Sequence, residues 1–390
     1  MDNRSEPRVN APRAVDLRRG RAPEIEIVDC MTYDFVLSLH VTLVASHADI
    51  HEFDIGAEWV ANARTRCDRA NAQALDTLGL YLGDARPSSL QATVISLIGQ
   101  CPTPNDPLHF LEWLRDMPAT DFAEALLDQE GLSAEWPTLL HAALHERSAA
   151  TDDAPGPAAQ RLLADYPREA RPVAQRVLLD VESVRAEFIG ALQVWYEAVF
   201  VEEQARLAPL LSREAEAMER RRVETTLDTF LEREMRGVQW QRPKGLRRYI
   251  FAPSFFCRPA VFYHFWRGTL TFCAPTASAT PSVEQLNADP DAPDEEMLRF
   301  FETLGDETRL RILRLLAKRE MYLTELADRL GLTKATIKHH MVRLRAAGMV
   351  TLHDRSDRER KTHYSLRPDV ARRAAQALDA FLHVDPDGRR

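Results

Sequence analysis

Cysteine is scarce in this sequence, and the cysteines present are not spaced for a structural or catalytic role. The 390 residues include 5 Cys, an odd number, with no CxxC pair and no neighbouring histidine cluster. These features argue against a disulfide framework and against a zinc site of common spacing. Long apolar runs are also lacking, so neither a secretory signal nor a membrane span is indicated, and we expect a cytoplasmic protein.

Catalytic signatures are lacking as well. The sequence contains no GxSxG, P-loop, dinucleotide-binding or HExxH motif. His141 and His145 stand four residues apart and could bind a metal together, but no third ligand is evident beside them. We therefore expect no enzyme activity, no cofactor and no bound metal.

The composition is that of a folded chain with segregated charge. Hydrophobic residues make up 45% and charged residues 28%, and the length favours two or more domains. The net charge is -9, but residues 294–390 hold 20 basic and 16 acidic side chains, whereas residues 1–293 hold 30 and 43. The positive excess concentrates in residues 309–361, with 14 basic against 6 acidic side chains. Such a stretch could follow the phosphates of a nucleic acid.

Helical periodicity dominates the first part of the chain. Residues 1–23 predict a disordered tail, and residues 24–275 predict a mostly helical region for sensing or oligomerisation. The loop at 149–157 could divide that region into two lobes. An aromatic β-element at 247–273 ends it, either as a packed lid or as the floor of a ligand pocket. The other elements predicted here are a strand at 24–28 and helices at 33–45, 57–82, 106–117, 121–129, 134–147, 158–164, 172–200 and 202–236.

The Pro-rich and Asp-rich segment 276–294 predicts a linker, and residues 295–384 predict a separate module before a short tail at 385–390. In this module a helix that ends in a Gly-containing turn is followed by a helix headed by Thr333. Two helices joined in this way form a helix-turn-helix, in which the second helix enters the major groove of DNA. The fold class predicted for the whole chain is mainly α with small β elements, an N-terminal helical domain and a C-terminal winged helix-turn-helix.

The second helix of this pair carries the predicted DNA contacts. Ile337, Met341 and Leu344 share one face and should pack on the core. Polar and cationic side chains near the leading end can reach base edges and phosphates. The predicted DNA-binding residues of this segment are Thr333, Lys334, Thr336, Lys338, His339 and Arg343.

The segment after this helix predicts a wing. Residues 349–352 and 361–366 alternate as strands on either side of a charged turn, so they should form a hairpin. Its cations are placed to contact phosphates or the minor groove. The predicted DNA-binding residues of the hairpin are Arg355, Arg358, Arg360 and Lys361. A final helix from about residue 368 to 384 has an apolar stripe suited to pairing with another helix.

Three segments in combination resemble the ArsR/SmtB family. They are LGDETRLRIL at 304–313, TIKHH at 336–340 and LRAAGMV at 344–350, and the pair Leu326-Ala327 adds to them. The resemblance covers about residues 294–384 and implies a repressor. Such a protein forms a homodimer through the first and last helices of the module. The dimer binds an operator in double-stranded DNA and leaves it when an effector binds.

The known metal-binding positions of that family are not matched here. The helix before the recognition helix reads Glu325-Leu326-Ala327-Asp328 without a thiol, and the last helix lacks the required spacing of Asp and His. We therefore expect no metal at those sites and a possible small-molecule effector at the N-terminal region. Two alternatives stay open, an enzyme fused to a DNA-targeting winged helix and a protein-interaction domain in which the helix at 202–236 pairs with a partner.

Overall fold

The computed structural model describes most of the chain. The described residues are 23–44, 53–82, 90–127, 135–149, 155–166, 168, 170–235, 238–240, 245–258, 261–276, 293, 295–354 and 363–382. The predicted tails and the predicted linker lie almost entirely outside these residues.

The N-terminal region begins with a strand and continues as a succession of helices. The strand is β1 (Glu24–Ile27), as the alternating sequence predicts. A π-helical turn at Tyr196–Phe200 joins two of the helices. The helices are α1 (Met31–Val44), α2 (Ala57–Ala70), α3 (Ala74–Leu82), α4 (Leu90–Ile98), α5 (Pro107–Asp116), α6 (Ala119–Leu127), α7 (Trp136–Ala149), α8 (Pro157–Ala164), α9 (Arg171–Leu179), α10 (Val181–Trp195), α11 (Val201–Glu224) and α12 (Leu227–Glu234).

Helix α1 is the centre of this region, because every one of its residues is buried. A helix that is buried on all sides has no solvent face and is surrounded by other elements. Ser38 is one of the polar side chains of α1 that find partners inside the core. The Ser38 hydroxyl donates to the Phe35 carbonyl at 2.7 Å and accepts from the Trp195 indole at 3.1 Å.

The buried carboxylate of Asp34 ties α1 to the loop at 255–258. It accepts hydrogen bonds from the Ser254 hydroxyl and from the backbone N–H groups of Phe255 and Phe256, the latter two at 3.0 Å. Burial raises the pKa of Asp34 to about 6, against the lowering effect of these hydrogen bonds. This contact fixes the loop that carries Arg258.

The structure divides several helices that the sequence predicts as continuous. Where the sequence predicts one helix at 57–82, α2 ends at Ala70. The side chain of the next residue, Asn71, accepts from the Gln73 N–H at 2.9 Å. The predicted helix at 202–236 breaks before Thr226, whose hydroxyl accepts from the Thr229 N–H and begins α12. Short polar side chains compete with the helical hydrogen bonds of the backbone, so they end helices that hydrophobic periodicity would continue.

The loop at 149–157 does not separate two lobes. Helices α7 and α8 on its two sides pack against each other, and one buried cluster includes side chains from both. The Glu146 carboxylate accepts from the Ala158 N–H at 3.0 Å, so it caps α8 from across the loop. The N-terminal region therefore has a core that continues across the predicted boundary.

A four-stranded sheet completes the N-terminal core. It consists of β1, β3 (Arg248–Ser254), β4 (Phe262–Trp266) and β5 (Thr269–Pro275) in the order β1-β3-β5-β4. The first three are parallel to one another, and β4 is antiparallel to β5. The fully buried rings of Phe251 and Phe272 stack at 5.0 Å, so this aromatic element is packed core rather than the floor of an open pocket.

The C-terminal module contains the elements of a winged helix. They are α13 (Glu295–Leu304), α14 (Glu307–Leu316), β6 (Met321–Tyr322), α15 (Leu323–Leu330), α16 (Lys334–Ala346), β7 (Val350–Asp354), β8 (His363–Leu366) and α17 (Val370–Leu382). These elements enclose a separate hydrophobic core of their own, to which Ile312, Leu326 and Leu344 belong. The protein is thus mainly α with small β elements, as the sequence predicts.

The two parts of the chain are joined by a strand that the sequence analysis did not predict. Strand β2 (Val238–Trp240) follows the last helix of the N-terminal region and pairs in parallel with β7. The second sheet therefore has the order β2-β7-β8-β6. Within the described residues no helix combines the length and the apolar character needed to cross a membrane.

Candidate nucleic-acid interface

The turn between α15 and α16 is fixed by two local devices. Gly331 has φ +68°, a left-handed conformation that favours glycine, and its N–H donates to the Ala327 carbonyl. Two residues later the Thr333 hydroxyl accepts from the Thr336 N–H at 3.1 Å and begins α16. The angle between the two helices is thus set by residues within a few positions of the turn.

Helix α16 is anchored through one face, as its periodicity predicts. Ile337, Met341 and Leu344 are all buried in the core of the module. The residues on the other faces differ in their exposure. Three of the predicted DNA-binding residues, Thr333, Lys334 and Lys338, are exposed, and three more, Thr336, His339 and Arg343, are half-buried.

One edge of α16 faces the N-terminal region. His40 of α1 is buried, which lowers the pKa of its imidazole to about 3, and the charge of Lys338 adds to this lowering. The His40 ring packs edge-on against Phe262 of β4 at 4.9 Å. Lys338 therefore extends beside the N-terminal core while its own side chain stays exposed.

The other edge of α16 faces α14. The Nδ1 atom of His340 lies 3.7 Å from a carboxylate oxygen of Asp306, which also accepts from the Arg309 N–H to begin α14. Burial lowers the pKa of His340, while the Asp306 carboxylate acts in the opposite direction. Burial also lowers the pKa of the Arg309 guanidinium, and the nearby charge of Arg343 contributes to that lowering.

The sequence analysis placed Arg343 at the DNA and did not single out His340. The position of His340 carried a signal, because it lies three residues after Ile337 and four before Leu344, on the face that packs inward. The Nδ1 atom of His340 is buried at this edge and makes no hydrogen bond. Arg343 lies on this same side of the helix, beside the cations of α14.

The strands of the predicted wing are present, but the turn is not described. Strands β7 and β8 pair antiparallel, with Leu352 opposite Tyr364 and His353 opposite His363. The hairpin cations Arg355, Arg358, Arg360 and Lys361 fall in residues 355–362, which lie outside the described residues. Their contact with DNA stays a prediction.

The comparison with known families identifies the class of this module. A family model described as a helix-turn-helix domain matches residues 304–353, from the end of α13 to β7. No curated protein and no solved structure matches the chain. The protein therefore carries a C-terminal helix-turn-helix domain, the class of module with which transcriptional regulators bind DNA.

Proposed function

We propose that this protein is a transcriptional regulator of the ArsR type and that it represses by binding an operator in double-stranded DNA. The observation that supports this most is the arrangement of α16. The helix begins at a capped Thr333 after a tight turn, is anchored by one apolar face, and leaves Lys334 and Lys338 exposed within the matched helix-turn-helix. A regulatory role, rather than an enzymatic one, is the proposal for the whole chain.

In this proposal the leading end of α16 enters the major groove and the hairpin after it contacts the sugar-phosphate backbone. The side chains that would contact base edges are Lys338 and His339, with Lys334 and Thr336 close to the groove edge. Base contacts set sequence preference, whereas phosphate contacts set affinity and its salt dependence.

We propose further that two chains bind together, through α13 and α17. These helices pack on each other and carry large apolar side chains that are exposed in the single chain. Leu382 is the most open of them at 66%, and Leu298, Leu378 and Phe381 are also exposed. Two copies joined here would place two α16 helices on half-sites that in such dimers lie about 34–36 Å apart.

The dimer proposal is tested by the mass in solution of the wild-type protein and of Leu382→Glu. The charge should separate the chains, because an ionised side chain is costly to bury at an apolar interface. Val223→Glu is the matched control, since Val223 is also exposed and lies on α11, away from this surface. A wild-type protein that is monomeric at micromolar concentration contradicts the proposed dimer.

The N-terminal region is proposed to supply the response to a small-molecule effector. It contacts the DNA-binding module by pairing β2 with β7 and by two ion pairs, Asp54 with Arg299 at 2.8 Å and Glu232 with Arg367 at 3.7 Å. A ligand that shifts the N-terminal core would move these contacts, and with them the hairpin that follows β7.

DNA binding is tested with the full-length protein and genomic fragments that flank its own gene, by fluorescence anisotropy at two salt concentrations. We expect one fragment to be preferred over random DNA. Lys338→Ala should lose about tenfold or more of that preference, because a good base contact contributes about 1–3 kcal/mol of discrimination.

Lys318→Ala is the matched control for this experiment. It removes the same charge from an exposed position after α14, outside α15 and α16. It should leave the preference unchanged. The proposed function is wrong if the folded protein prefers no fragment, or if both lysine variants behave alike.

A further inference from the structure

A cluster of two histidines and one glutamate lies at the base of the wing hairpin. His353 of β7 and His363 of β8 stand directly opposite each other, and their rings stack with centroids 4.7 Å apart. Glu320 precedes β6, and its Oε2 atom lies 2.8 Å from Nε2 of His363. One potential ligand atom from each residue lies within 4.8 Å of those of the other two.

We propose that Glu320, His353 and His363 bind a divalent transition-metal ion, with Zn²⁺ as the best match to the donor set. Two imidazoles and one carboxylate suit Zn²⁺ and its neighbours, and they do not suit Mg²⁺ or Ca²⁺, which take oxygen ligands. Three protein ligands leave a fourth position for water. This site is separate from the positions on α15 and α17 at which the sequence analysis expected no metal.

The widest separation among the three ligand atoms, up to 4.8 Å, exceeds the separation around a bound ion by about 1.5 Å, whereas Glu320 and His363 are already 2.8 Å apart. Bonds of 2.0–2.1 Å in a tetrahedron place neighbouring ligand atoms about 3.3 Å apart. Two of the three groups can close this gap, since Glu320 is 53% exposed and His353 is half-buried. His363 is only 8% exposed and would be the fixed member around which the others gather.

A neighbouring hydroxyl supports one ligand from outside the cluster. The Oγ atom of Ser365 lies 2.7 Å from Nε2 of His353. Metal-bound histidines usually have the second ring nitrogen held by such a partner, which orients the ring. Here the ring can keep this bond through Nε2 and present Nδ1 to the metal.

The position of the site gives the ion a mechanical role. Its ligands come from β7, β8 and the residue before β6, so binding would clamp three strands at the point where the hairpin leaves the module. Gln239 of β2 pairs with His353 from the other side. The angle of the hairpin would thus depend on the metal, and its effect on DNA rests on the proposed function, whereas metal binding itself does not.

Metal titration of the full-length protein, freed of metal by a chelator, tests the site. We expect one equivalent of Zn²⁺ per chain, measured by competition with a chromogenic chelator, and a tetrahedral visible spectrum with Co²⁺. His353→Gln and Glu320→Gln should each weaken binding by about tenfold or more, because each removes one of three ligands. Both positions are open enough for the variants to fold, which circular dichroism would verify.

His141→Gln is the matched control, because His141 is exposed on α7 and pairs with His145 at a spacing that could also bind a metal. Binding that is lost in this variant but kept in His353→Gln would overturn the proposal, as would the absence of stoichiometric binding. The DNA affinity of the wild-type protein should change with Zn²⁺, and that of His353→Gln should not. Equal DNA affinity in both metal states would refute the role of the ion in the hairpin, while a lack of any DNA preference would refute the proposed function alone.

Discussion

Asp54 joins the two parts of the chain through a single carboxylate oxygen. Its Oδ2 atom lies 3.2 Å from a guanidinium nitrogen of Arg258 and 2.8 Å from one of Arg299 on α13. The N–H of Asp54 also donates to the Arg258 carbonyl at 3.2 Å, so the backbone holds the contact in place. The Arg258 side chain is only 2% exposed, whereas that of Arg299 is 19% exposed.

This difference in burial predicts that removing Asp54, which leaves the buried Arg258 without its carboxylate, destabilises the fold more than removing Arg299 does. Removing one member of a buried ion pair costs about 3–5 kcal/mol, because the other charge stays buried, whereas an exposed pair contributes about 0–1 kcal/mol. Arg258 also donates to the Thr276 carbonyl, and Asp54 is partly exposed, so the loss is reduced. We expect Asp54→Ala to lower the free energy of unfolding by about 2–3 kcal/mol and Arg299→Ala by about 0.5–1 kcal/mol.

Urea denaturation followed by tryptophan fluorescence measures this effect, because all 6 Trp lie before residue 276 and report on the N-terminal region. Asp116→Ala is the control, since Asp116 is exposed at the end of α5. The reasoning fails if Arg299→Ala destabilises as much as Asp54→Ala, or if Asp54→Ala behaves like the control.

Three further predictions concern single residues. Thr333→Ala removes the cap of α16 and should lower the free energy of unfolding, measured by thermal denaturation, by about 1 kcal/mol. Thr333→Ser keeps the hydroxyl and should leave that free energy close to the wild-type value. Gly331→Ala should cost about 1–2 kcal/mol in the same assay, because φ is +68° although no atom lies within 4 Å of the added methyl group; Gly331→Asn should cost less. Burial lowers the pKa of His40 to about 3 and that of His264 to about 4, so the unfolded chain takes up protons first as pH falls below 6.5. The two histidines should therefore lower the unfolding free energy between pH 7 and 4, while Asp34, whose pKa is raised to about 6 in the folded chain, acts in the opposite direction. His264→Gln should reduce the loss of stability on acidification; a pH dependence that this substitution leaves unchanged contradicts the assignment.

The elements of the C-terminal module could be predicted because their signals are local. Asp306 and Thr333 each accept a hydrogen bond from an N–H three residues later, and Gly331 takes the one conformation that ends α15. Such devices act within one turn of helix, so a short window of sequence contains all that determines them. The inward face of α16 followed from the 3.6-residue period for the same reason.

The contacts between distant segments could not be predicted in this way. Strand β2 has three residues and pairs with β7 roughly 110 residues further along the chain, so neither its length nor its pattern marks it as a strand. His353 and His363 meet Glu320 only through the register of β6, β7 and β8. Their spacing in the sequence resembles no metal motif, which is why the cluster was not anticipated.

The pairing of β2 with β7 bears on how the N-terminal region would act on DNA binding. An unpaired β7 would be the edge of the wing sheet, with a row of free N–H and C=O groups. Because β2 covers that edge, a displacement of the N-terminal core must either carry β7 with it or break the ladder between them. Helix α16 is anchored mainly in the core of its own module, through Ile337, Met341 and Leu344. On the proposed function, an effector would therefore change the direction of the cationic hairpin first, and we expect it to alter affinity and its salt dependence more than the preference for sequence.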